Sequence, residues 1–273
     1  MTRRKTTPPR GVLATAVADQ QRHRHARYHP SPDLAAYVEH FWSVQWDLRG
    51  VPPVLAETLP HPSVHMVFER NVGGRIAGVF RGKFSRVLEG EGSVFAAKFT
   101  PGGFHPYAGV PLSTLTDTTV QVGEIFGPAG DALEHAVLAE SDDDARIAIV
   151  ESFLRDRMPA PDDRVSRISG IVHSIAADRT ILKVEDLVER HGLGKRTLQR
   201  LFAEYVGVSP KWVIQRYRLH EAAEQLAAGR SISQSTLAAN LGYSDQAHFV
   251  RDFKSVVGTS PASYARNTQR MSS

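Results

Sequence analysis

The C-terminal part of this chain repeats itself, and that repeat constrains the fold more tightly than any other feature. Arg200-Leu-Phe recurs as Arg251-Asp-Phe, Gly207 as Gly258, and Ser209-Pro210 as Ser260-Pro261, all at one offset of 51 residues. A fixed offset of this kind marks one supersecondary unit present twice. In the first copy, Val184 to Tyr205 has the form of two short helices meeting at a three-residue turn. Gly192 permits the left-handed conformation such a turn needs, and Leu193 plugs the angle between the helices. On the second helix, Leu198, Leu201, Phe202 and Tyr205 stand at i, i+3, i+4 and i+7 and must face inward. The opposite side then carries Arg196, Gln199, Arg200 and Ala203.

The second copy follows the same plan. Ser233 can cap a helix running through Leu241, Gly242 makes the turn, and a second helix begins at Gln246. With Phe249, Phe253 and Val256 turned inward, Ala247, Val250, Arg251 and Lys254 are outermost, flanked by Gln246 and His248. Between the units, Pro210 to Ala228 reads as one long helix, with Pro210 in its first turn and Gly229 just past its end. Arg is bidentate to guanine, Gln to adenine, and a small Ala permits close approach, so both outward faces suit a DNA major groove. A rigid connector would place them about 34 Å apart, on adjacent turns of one duplex face.

Upstream the signal changes. Residues 1–27 show no periodicity and read as a disordered basic tail. The spacing of Leu34, Val38, Phe41 and Trp42, after the start signal Ser31-Pro-Asp, predicts a short amphipathic helix from Leu34 to Trp46. Four β-like runs follow, Val64 to Phe68, Arg75 to Phe80, Phe84 to Leu88 and Val94 to Phe99, each bounded by Gly or Asn. Helical spacing resumes at Val122 to Phe126 and from Ala145 to Met158. Residues 159–163, Pro-Ala-Pro-Asp-Asp, read as a linker. The chain is thus expected to be α+β. A strand-rich domain over 28–158, cupin-like or a small barrel, precedes an all-α domain over 164–273 with two helix-turn-helix units joined by a long helix.

Charge follows the same partition. Residues 1–27 hold seven Lys/Arg against one acid, 28–163 hold ten against nineteen, and 164–273 hold sixteen against nine. An acidic middle between basic ends is expected where one domain faces phosphate and another does not. Cysteine is absent, which removes disulfides, thiolate metal sites and a cysteine nucleophile. No apolar run approaches a membrane span and residues 1–10 lack a secretory h-region, so a cytoplasmic protein is expected.

Residues from about Arg164 to Arg266 resemble the DNA-binding domain of AraC/XylS-type regulators. The resemblance is carried by Arg200-Leu-Phe, Gly207-Val-Ser-Pro, Arg218-Leu, the run from Gly242 to Lys254, and Gly258-Thr-Ser-Pro-Ala-Ser-Tyr264. It implies that Arg196, Gln199 and Arg200 read bases in the first unit, and Gln246, Ala247, Val250 and Arg251 in the second. Lys254 is expected at phosphate. Two residues depart from the pattern: Gln234 stands where an apolar residue is usual, and Gly194 where a Ser commonly caps the reading helix. The first half, through Tyr28-His-Pro-Ser-Pro-Asp-Leu, Leu59 to Phe68 and Phe99-Thr-Pro-Gly-Gly, resembles an uncharacterised sensor-like domain found ahead of this module. The resemblance implies double-stranded DNA as partner, with RNA polymerase, a small-molecule effector and a second copy of the chain as further expected partners, and no cofactor.

An effector is expected in the strand-rich core of residues 54–104, where His61, His65 and Lys98 could converge. His61 and His65 also invite a metal, but i and i+4 on a strand stand about 13 Å apart and cannot share an ion. Trp42, Trp46 and Phe68 are expected in the core rather than in a ligand cage. The competing function class is an enzyme that uses the paired helices only for DNA targeting. Repair enzymes with this module need a cysteine acceptor, and this chain has none; a cupin-like enzyme in the first half stays open, though no catalytic motif supports it.

Overall fold

The computed structural model describes residues 22–228 and 233–272. The sequence expectations for residues 1–21 and for Gly229 lie outside the described residues. Among the described residues the first domain is built on eight strands: β1 (His23–Tyr28), β2 (Val38–Leu48), β3 (Val54–Thr58), β4 (His65–Glu69), β5 (Gly73–Ala77), β6 (Phe84–Leu88), β7 (Gly90–Phe99) and β8 (Thr119–Gln121). Six form an antiparallel sheet in the order β1-β2-β7-β4-β5-β8, and β3 pairs with β6 as a separate two-stranded ribbon.

Two sequence expectations are corrected here. The segment from Leu34 to Trp46 is not a helix. Its start signal produces only one 3-10 turn, Pro32–Leu34, after which β2 runs inside the sheet, paired on both edges with β1 and β7. Val38, Phe41 and Trp42 fit helical spacing, but a segment rich in aromatic and β-branched residues gains more by pairing on both edges. The second correction concerns the tail: residues 23–27 belong to β1. Only Ala26 and Tyr28 of that strand face the core, so its apolar signal is two residues long.

The sheet has two unlike faces because successive side chains alternate. One face is apolar. Tyr28, Phe41, Met66, Phe68, Ile76 and Phe95 are buried there. Four helices follow β7: α1 (His105–Ala108), α2 (Val122–Phe126), α3 (Pro128–Ala139) and α4 (Asp143–Arg155). Leu133, Val137, Val150 and Leu154 of α3 and α4 close this core. α3 was not legible in sequence, since Pro128 and Gly130 interrupt its pattern; at Gly130 a Cβ would lie 2.6 Å from the Val122 carbonyl oxygen, so α3 can seat against α2 only without one. The other face carries His25, Arg27, Trp42, His65, Lys98 and Arg75, and it looks toward the second domain.

The second domain holds α5 (Asp163–Ala177), α6 (Val184–His191), α7 (Lys195–Tyr205), α8 (Pro210–Ala227), α9 (Gln234–Asn240), α10 (Gln246–Val257) and α11 (Pro261–Ser272). The repeat has a direct physical counterpart. Gly192 and Gly242 make the turns at φ 61° and 78°, and Gly207 and Gly258 follow the reading helices at φ 92° and 90°. Ser209 Oγ accepts from Trp212 N at 3.2 Å to cap α8, and Ser260 Oγ accepts from Ser263 N at 3.3 Å to cap α11. Each unit has its own core, one around Leu198, Phe202 and Val213, the other around Leu237, Phe249 and Phe253.

The domains touch at several points. Asp162, in the segment read as a linker, accepts from Arg164 N at 3.0 Å and from Tyr205 Oη at 2.6 Å, which fastens the start of α5 to α7. Thr116 Oγ1 donates to Gly207 O at 2.6 Å. Tyr37 and Val79 pack into the core of the first unit and Leu59 into that of the second.

Candidate nucleic-acid interface

The reading helices owe their orientation to their buried stripes. Leu198, Leu201, Phe202 and Tyr205 of α7 are buried, which leaves Arg196, Gln199, Arg200 and Ala203 exposed. On α10, Phe249, Phe253 and Val257 are buried and Gln246, Ala247, Arg251 and Lys254 are exposed. Val250 differs from its expected outermost place: it is half-buried and packs against the second unit's core. One turn of α10 therefore offers a methyl-sized apolar contact rather than a free side chain.

The helix starts are built differently. α10 begins at Asp245, whose Oδ1 accepts from His248 N at 2.7 Å. α7 begins at Gly194 with no side-chain cap, so its first backbone N–H groups are left to solvent or to a phosphate. Lys195 at that end ion-pairs with Glu185 of α6 at 2.8 Å. Gln234, the other departure from the family pattern, accepts from Gln246 Nε2 at 3.4 Å and thereby orients a candidate base-reading amide.

α8 holds the two units together. Its 18 residues span about 27 Å at the usual helical rise. Arg218 is 3% exposed and donates to the carbonyls of Ile175 and Asp178 at 2.6 and 3.0 Å and to Glu221 at 2.8 Å. Its guanidinium thus closes the open C-terminal end of α5, a charge-complementary use of a helix terminus. The Arg218-Leu of the sequence motif is a structural clamp, not a surface cation. Arg216 is also buried, lies 4.6 Å over the Trp212 ring and donates to the Arg81 carbonyl; burial draws it down to about 10.

Residues 187–267 match a family described as a helix-turn-helix domain, and residues 26–121 match a domain of unknown function, DUF6597. The "probable transcription factor PqrA" of Proteus vulgaris is 33% identical over 86 residues, which cover 32% of this chain and 70% of that protein. The chain belongs to the AraC-type transcription regulators. The "HTH-type transcriptional activator AarP" of Providencia stuartii is 31% identical over 83 residues, 30% of this chain and 61% of that one. Among solved structures, a probable AraC family transcriptional regulator from Rhodopseudomonas palustris is similar at 24% identity over 39% of this chain and 98% of that one, with a TM-score of 0.34. Other curated relatives are matched over only 28 to 52% of their length. Among the described residues no helix of the regulator is long and apolar enough to cross a membrane.

The residues singled out for an effector line one space, and that space is not inside the strand-rich core. A cavity of about 1790 Å³ lies between the second face of the sheet, the β3–β6 ribbon, and helices α5 and α8 of the DNA-binding half. His65 and Lys98 are register partners on its floor. His61 sits on the link before β4, its ring 4.5 Å from that of His220 on α8. Among the described residues no three His, Asp or Glu side chains are grouped as a metal site.

The floor contains residues that sequence reasoning missed. A register shift between Val38 and His40 bulges β2, so that Glu39 and His40 both line the cavity. Glu39 bonds Lys98 Nζ at 2.9 Å and His40 Nδ1 at 3.2 Å. Burial works to raise the Glu39 carboxyl, but the bond to His40 and the Lys98 charge pull it far below the usual range. Trp42, expected in the core, lines the cavity and donates its Nε1–H to His65 Nδ1 at 3.2 Å, so His65 carries its proton on Nε2. Burial, with the Lys98 charge, holds His65 down to about 3, and burial with Arg27 holds His25 near 4. Both are neutral donors at physiological pH. The legible signal was the alternation His23-x-His25-x-Arg27, which places every second side chain on one face.

Proposed function

We propose that the regulator reads a bipartite operator through α7 and α10, with Arg196, Gln199 and Arg200 on one half-site and Gln246, Ala247, Val250 and Arg251 on the other. Lys254 contacts phosphate. The single observation that supports this most is the pair of exposed faces on equivalent helices of the repeated unit, joined by one continuous helix. In this reading residues 164–273 are the DNA-binding domain, and residues 28–158 with the β1 residues 23–27 are a sensor or dimerisation domain. A small effector occupies the cavity on the His65–Lys98 floor, with His61 at its wall, and alters operator affinity. The protein works in the cytoplasm, without enzymatic activity of its own, as a homodimer in contact with RNA polymerase.

Binding-site selection from random duplex DNA with the full chain tests the core of this proposal. The expected result is a motif of two half-sites centred about one helical turn apart, with affinity falling steeply between about 50 and 200 mM salt. Recovery of no enriched sequence, or affinity indifferent to salt, would overturn it.

A further inference from the structure

The β3–β6 ribbon is not a loose appendage of the first domain. Thr58 pairs with Phe84, so Leu59 and Lys83 leave the ribbon at the same end. That end lies on the second helix-turn-helix unit. Leu59 is 2% exposed and belongs to the core formed by Leu219, Ala222, Leu237, Phe249 and Phe253. Lys83 Nζ donates to Val257 O at 3.2 Å, the last carbonyl of α10, and ion-pairs with Glu57 on the neighbouring strand. Gly258, at φ 90°, turns the chain directly beneath this ammonium, so that a Cβ there would stand 2.8 Å from Lys83 Nζ.

The chemistry of this contact is directional. The last carbonyls of a helix have no intrahelical partner and carry partial negative charge, so a half-buried ammonium there fixes where the helix ends. Leu59 fixes a second point, in the core beneath α10. Two points on one rigid helix determine the angle at which Gln246, Arg251 and Lys254 are presented. α7 receives neither contact; the first domain reaches it from outside the ribbon, through His105, whose ring lies 4.1 Å from that of Tyr205 and which pairs with Glu204 at 3.8 Å, and just past its end through Thr116 on Gly207.

We infer that Lys83 and Leu59 of the first domain are positioning residues for the second reading helix, so that the β3–β6 ribbon sets base discrimination at one half-site and leaves the other alone. The ribbon is also one wall of the cavity, through Ala56, Thr58 and Arg86. A ligand in that cavity bears directly on the ribbon that holds α10, and on α5 and α8, whereas neither reading helix lines it. This inference rests on the bipartite reading of DNA proposed above.

The test is site selection with the full chain carrying Lys83→Ala, Lys83→Arg or Leu59→Ala, scored separately for the two half-sites. Lys83→Ala should reduce discrimination at the α10 half-site about tenfold, the scale of a lost charge-assisted bond. The α7 half-site should stay within about twofold, and Lys83→Arg should restore the pattern. Leu59→Ala should act in the same direction. An unchanged motif in all variants overturns the inference, as does equal loss at both halves with a lower melting temperature. A wild-type chain that selects no sequence overturns the bipartite reading itself, and this inference with it.

Discussion

The two helix-turn-helix units share a plan and differ in where they place their resources. The first has the more polar reading face, with Arg196, Gln199 and Arg200 exposed, but its reading helix starts at an uncapped glycine. The second starts its reading helix on a good cap, Asp245, yet presents Ala247 and a half-buried Val250 where the first presents Arg196 and Gln199. The first core is also the larger, extended by α5 and by Tyr37 and Val79 of the other domain. Helix quality and reading power are thus separable properties. A well-packed unit can leave its reading helix poorly capped, and a well-capped helix can carry few groups that hydrogen-bond to bases.

The comparison breaks first at the cores. Phe202→Ala and Phe253→Ala each remove a fully buried ring and should cost about 3–5 kcal/mol. If the cores are independent, differential scanning calorimetry should show Phe253→Ala splitting the transition and abolishing only the α10 half-site; one unsplit transition for both variants would show the units to be a single cooperative block.

The next effect is at the bases. Arg200→Ala should cost about 1–3 kcal/mol at its half-site and relax base preference there, while Arg251→Ala should cost less because its neighbours offer little beyond contact with a thymine methyl. Selected motifs from the two variants decide it. A second half-site richer in information than the first would reverse the ranking.

The caps follow. Asp245→Ala should lower stability by about 1 kcal/mol, and Gly194→Ser should raise it by a few tenths, since glycine is already a tolerable N-cap. Chemical denaturation measures both, and equal and opposite changes would contradict the asymmetry described here. The smallest effect is that of Lys254→Ala, an exposed cation on α10. It should weaken all sequences alike and lower the slope of log affinity against log salt by about one. A change in base preference would mean that Lys254 reads rather than anchors.

The repeat was legible because its punctuation is local. A left-handed glycine, a Ser-Pro cap and an apolar stripe at helical spacing each act within a few residues, so the sequence alone determined α6 to α10 and, Val250 apart, which sides of α7 and α10 are exposed. The strand runs Phe84 to Leu88 and Val94 to Phe99 and the brief helix Val122 to Phe126 were legible for the same reason. β2 was not, because Leu34, Val38, Phe41 and Trp42 fit helical spacing and only pairing with the strands on either side overrides it. The cavity was beyond reach altogether. His61, His65 and Lys98 were identifiable as polar residues in an apolar stretch, but that they face α5 and α8 depends on how two domains pack. So does the end of the β3–β6 ribbon on α10, which joins residues 174 apart in the chain through Lys83 and Val257. Local backbone chemistry writes helices and turns into the sequence; the pairing of distant surfaces is decided only when the tertiary structure brings them within a hydrogen bond of each other.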